Sequence, residues 1–80
     1  MNFTERELLM AQFFVEREGE GVLERIRQMD FLAEGLIDSL DMVSLAVYVE
    51  KKFGKKLDLT NKATFEAVRK FDSLMGLVGP

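Results

Sequence analysis

GLIDSLDMVSLAVYVEKKF, residues 35–53, is the stretch on which the reading of the fold turns. Asp38 is a residue type that accepts hydrogen bonds from the first free amides of a helix. After it Met42, Leu45, Ala46, Val49 and Phe53 recur every three or four positions, which gathers them on one helical face. Gly54 then supplies a stop. A helix entered at Asp38 and left at Gly54 is the clearest element of the chain. It places Ser39 at its threshold, although the same tripeptide returns as Asp72-Ser73-Leu74.

Toward the N-terminus, Thr4 and Glu7 have the spacing of a capping box, with Phe3 and Leu8 at the positions of a hydrophobic staple. Leu9, Met10, Phe13 and Phe14 continue as an apolar stripe until the glycines of Glu18-Gly19-Glu20-Gly21. A first helix over residues 5–17 is predicted. From Val22 to Ile37 the pattern weakens. Val22, Leu23, Ile26 and Met29 suit a turn or two facing the core, but Gly35 and Leu36-Ile37 argue for a long packed loop.

Toward the C-terminus, Thr60-Asn61-Lys62-Ala63 suits a short turn or helix. Thr64 then reads as the cap of a last helix carrying Phe65, Val68, Phe71, Leu74 and Met75 and closed by Gly76. The expectation is an all-α fold, a small four-helix bundle with three main helices, one short helix and a long loop between helices one and two. Eighty residues make one domain, 1–80, with limited capacity to bury a second layer behind an active site.

The composition narrows function. Forty-eight per cent of the residues are apolar and 31% charged, the balance of a chain that folds. There is no histidine and no cysteine, so the commonest general base, the thiol nucleophile, disulfides and His/Cys metal sites are absent. Neither serine has a suggestive catalytic partner nearby in sequence, and the chain reads as a non-enzyme with no catalytic residues and no metal site.

No apolar run reaches membrane-spanning length, and the acidic N-terminus does not read as a secretory signal, which makes a cytoplasmic protein the expectation. Net charge is −3, with nine acids and four bases in residues 1–38 but five acids and seven bases in 39–80. All six lysines lie in the second half, dispersed among acids and without the aromatic interleaving of a nucleic-acid surface.

At the start of a helix, Ser39 lies beside amides that have no partner within the helix, a setting suited to a phosphodiester. An ordinary first-turn serine after an Asp38 cap explains the same residue types. Ser73 is expected in the last turns of the final helix, where free amides are lacking. The seven phenylalanines and five methionines read first as core, with methionine able to repack around a guest chain.

The whole run GLIDSLDMVSLAVYVEKKF, followed by ATFEAVRKF, resembles the acyl carrier protein family, including the peptidyl and D-alanyl carriers. Asp38-Ser39-Leu40 is the strongest element of a likeness that covers nearly the whole chain. The resemblance implies that Ser39 receives 4′-phosphopantetheine from coenzyme A through a phosphopantetheinyl transferase. It implies that the thiol of that group carries acyl or aminoacyl intermediates, delivered by a monomer between a loading enzyme and a downstream transferase or synthase.

It further implies partner contacts at Asp38, Leu40, Asp41 and Met42, and shelter for an acyl chain near Met42, Ala46, Val47 and Ala63. Ser44, Lys51, Lys52, Lys55, Lys56 and Lys62 depart from the acidic surface of the fatty-acid synthesis proteins. EGLIDS, too, is closer to the specialised carriers of lipid, polyketide or peptide pathways. The competing expectation is a helical interaction module that docks through helix two and is never modified.

Overall fold

The computed structural model describes residues 2–79. Helix α1 spans Glu5–Glu18, α2 Ser39–Phe53, α3 Lys62–Val68 and α4 Phe71–Val78, with two short 3₁₀ turns at Glu20–Glu24 and Ile26–Gln28 between α1 and α2. No strand occurs among the described residues, and the chain is a small all-α bundle.

The predicted capping box at Thr4 forms, and Asp38 caps α2 as expected, with Asp41 completing a second box there. Thr4 Oγ1 accepts from the Glu7 amide at 3.1 Å while Glu7 Oε1 accepts from the Thr4 amide at 2.8 Å, so two orphan donors are satisfied reciprocally. Helix α1 ends at Gly19, whose φ of 89° is open to glycine at little cost. Helix α2 ends at Gly54 in the left-handed region, its amide returning to the Glu50 carbonyl at 3.0 Å.

The α1 stripe is rotated from the expected one. Met10, Ala11, Phe13 and Phe14 are buried, whereas Leu8 and Leu9 lie at the surface and Phe3 turns to meet Phe71 edge-on at 5.9 Å. The long connection is a full contributor to the core: Val22, Ile26, Met29, Phe31 and Ile37 are buried, and Phe31 stacks on Phe14 at 4.4 Å. A loop this long can stay packed because its backbone is bonded internally, as where the Ile37 amide donates to the Phe31 carbonyl at 3.1 Å.

The predicted final helix is two. Asn61, not Thr64, caps α3, accepting from the Thr64 amide at 3.0 Å, and Gly76 lies inside α4. Between them Lys70 is extended and pairs with Asp30 in an isolated antiparallel bridge, while the Arg69 carbonyl accepts from the Phe31 amide at 2.7 Å. The break has a packing reason. Phe65, Val68, Phe71 and Leu74 are spaced by three, so in one unbroken helix the last would drift about 180° from the first. Interrupting the helix resets the phase, and Val68, Phe71 and Leu74 all reach the core.

Arginines tie the elements together. Arg27 pairs with Glu7 at 3.0 Å and Asp72 at 3.2 Å while lying over the Phe3 ring, which joins the starts of α1 and α4 to the connection. Arg6 donates to the Val78 and Gly79 carbonyls at the end of α4, and Arg69 binds Asp30 at 3.0 Å across the break.

Candidate functional site

Ser39 is the first residue of α2 and is exposed. Around it the Asp38 carboxylate accepts from the Asp41 amide at 2.8 Å, and the Asp41 carboxylate accepts from the Asp38 amide at 3.0 Å. The Met42 amide already donates to the Asp38 carbonyl at 3.0 Å. Of the amides at this helix start, those of Ser39 and Leu40 alone stay open, and none of these bonds uses the Ser39 hydroxyl. The capping box thus closes the flanking donors and leaves two beside the serine, at the positive end of a 15-residue helix.

Asp41 does more than cap. It forms an ion pair with Arg17 from the last turn of α1, and that guanidinium also lies 5.3 Å from the Phe13 ring centroid. The Asp38 amide, with Arg17 behind it, holds the Asp41 carboxyl below the usual carboxylate range. Both acids that the resemblance assigns to partners therefore have structural employment at the head of α2.

Ser73 requires a correction. It lies in the first turn of α4, not in the last turns of a longer helix, so helix position does not separate the two serines. Hydrogen bonding does: the Ser73 hydroxyl is directed to the Ala67 carbonyl at 2.6 Å and lies 3.2 Å from that of Lys70, bracing the α3–α4 break.

The apolar residues around Ser39 are also rearranged from expectation. Met42 is 1% exposed and packs with Leu45 and Val49 in the core, so it is neither a surface contact nor a groove residue. Leu40 is 79% exposed, Val43 55% and Val47 58%, forming a second stripe roughly opposite the first. The sequence does carry this signal, because leucine and valine at 40, 43 and 47 also keep helical spacing, on the face the core stripe leaves free.

An open groove of about 550 Å³ begins one turn beyond Ser39. Val43, Ala46, Val47 and Glu50 form its α2 side, and Lys56, Leu57, Asp58 and Leu59 the other. Ala46 and Val47 are therefore where the resemblance puts shelter for a chain, while Met42 and Ala63 are outside the lining. Leu57 and Leu59, which sequence reading passed over, complete it. They lie in a segment with no regular periodicity to announce a face.

Among the described residues no group of histidine, cysteine, aspartate or glutamate is placed to hold a metal ion, and no helix is long and apolar enough to cross a membrane. Comparison with protein-family models, with curated proteins and with solved structures returned no match.

Proposed function

We propose that the chain is a carrier protein, in which Ser39 is the attachment point for 4′-phosphopantetheine and α2 faces the enzymes that load and unload it. The observation that carries this reading is local. An exposed hydroxyl without a partner stands beside the two amides that the Asp38–Asp41 box leaves open, at the head of an apolar groove. Those amides and the helix dipole suit a phosphodiester on Ser39. When bound, the group supplies the thiol that a cysteine-free chain lacks, able to hold an acyl or aminoacyl cargo as a thioester.

The remaining roles follow from what the side chains do. Asp38 and Asp41 hold the helix start and so fix the serine, and Leu40, Val43 and Val47 offer apolar contact to a partner. The groove through Ala46, Val47, Leu57 and Leu59 is wide enough to shelter part of an apolar cargo. The partners of this reading are a phosphopantetheinyl transferase, a loading enzyme and a downstream transferase or synthase of a specialised lipid, polyketide or peptide pathway, with the carrier monomeric and cytoplasmic.

A fluorescent coenzyme A conjugate tests the site. With a broad-specificity transferase and magnesium, the parent chain and Ser73→Ala should become labelled and Ser39→Ala should not. Equal labelling of Ser39→Ala would overturn the assignment. The exposed stripe Leu40-Val43-Val47 favours a second reading, an unmodified interaction module; it requires that no transferase labels the chain while Val47→Asp still disrupts partner binding.

A further inference from the structure

The five ion pairs among the described residues all use arginine; none of the six lysines takes part in one. Five of those lysines fall between positions 51 and 62, where the acids are Asp58 and, just before, Glu50. Asp58 is turned into its own loop, accepting from the Thr60 amide at 3.0 Å and from the Thr60 hydroxyl. Lys52 lies over the Tyr48 ring, which leaves Lys51, Lys55, Lys56 and Lys62 exposed with no anionic partner of their own. Like charges brought near one another repel, and salt screens that repulsion over roughly 8 Å at physiological ionic strength. A net-negative chain holding such a cluster without internal pairing carries a surface complementary to an external anion.

The cluster is continuous with the apolar site. Leu40, Ser44, Val47 and Lys51 follow each other at spacings of four, three and four, which puts Lys51 in line with the exposed stripe of α2. Lys56 is itself a wall of the groove. One surface therefore passes from Ser39 through apolar side chains to Lys51 and Lys56.

We propose that this surface docks an acidic protein segment, with apolar side chains seated against Val43, Val47 and Leu57 and carboxylates meeting Lys51, Lys55 and Lys56. The proposal rests on α2 being the docking helix, and names the charge of its partner. A protein segment fits better than a lipid surface because the apolar part is a groove walled by α2 on one side and by Lys56, Leu57, Asp58 and Leu59 on the other, a shape that takes side chains. The cations set orientation and encounter rate, and the groove supplies the short-range contact.

Two helical peptides with leucines at the same spacings, one flanked by glutamates and one by lysines, test the charge selection. Each is titrated into the ¹⁵N-labelled chain at about 50 mM and about 300 mM salt. The glutamate peptide should bind roughly tenfold more tightly than the lysine peptide at the lower salt and lose severalfold at the higher. Its amide shifts should centre on Val43, Val47, Lys51 and Leu57.

The triple variant Lys51→Glu, Lys55→Glu, Lys56→Glu should reverse the preference. The titration uses the unmodified chain and does not depend on Ser39 being loaded, so failure of the carrier reading and failure of this one are separable. Equal binding of the two peptides, or shifts centred elsewhere, would refute the proposal. So would binding of phosphatidylglycerol-containing vesicles in place of either peptide, or self-association that the triple variant abolishes.

Discussion

Two serines, each following an aspartate and preceding a leucine, lie in the first turns of two helices in this chain, and they differ in what their hydroxyls touch. Ser73 is bound to carbonyls at the α3–α4 break; Ser39 is left over by the bonds around it. Exposed and unbonded, Ser39 should tolerate replacement, and Ser39→Ala is expected to change stability by no more than about 0.5 kcal/mol. Asp38→Ala removes the acceptor for the Asp41 amide and should cost about 1 kcal/mol, while Asp38→Asn keeps an acceptor and most of the stability. Urea midpoints of the three variants check this; a larger loss in Ser39→Ala than in Asp38→Ala would mean that the serine is structural. The caps Thr4 of α1 and Asp38 of α2 were legible from residue type and the apolar spacing that follows, whereas Asn61 takes the place expected of Thr64 and Lys70 before α4 gives no such signal. The state of the Ser39 and Ser73 hydroxyls was not legible, since it depends on carbonyls that only the folded chain brings near.

At the level of elements, α1 and α2 could be read almost to the residue from caps, spacing and closing glycines. The split of α3 from α4 could not. No proline or glycine marks it; Lys70 is extended because Asp30, Phe31 and Arg69 hold it there, and those contacts span some forty residues of sequence. Asp30→Ala should therefore speed hydrogen exchange at the Phe31 amide while leaving the middle of α2 protected. The connection before α2 shows a similar limit, because it reads as a loop yet carries core. Phe31, fully buried against Phe14, should cost about 3–5 kcal/mol when cut to alanine, and Leu9, although inside a helix, far less because it sits at the surface. Denaturation of Phe31→Ala and Leu9→Ala decides this, and the reverse order would contradict the packing described above.

Across the whole molecule, acids hold structure in both halves, while unpaired lysines collect in the second. Glu7, Asp30, Asp41 and Asp58 are all held below the usual carboxylate range, by amides in the first three and by the Thr60 hydroxyl first in Asp58. A carboxyl whose folded value is depressed contributes stability that is present above its unfolded value, about 4, and is lost as pH falls through the folded one. With no histidine in the chain, the urea midpoint should stay nearly level from about pH 5.5 to 7 and decline below about pH 4. A midpoint that rises on acidification would contradict the assigned bonds. The central claim is that the hydroxyl left open at the head of α2 is the point of attachment, and intact-protein mass spectrometry addresses it most directly. After incubation with coenzyme A, magnesium and a broad-specificity phosphopantetheinyl transferase, the account predicts a single added phosphopantetheine that peptide mapping places on Ser39. No adduct with several transferases, or an adduct on Ser73, would contradict it.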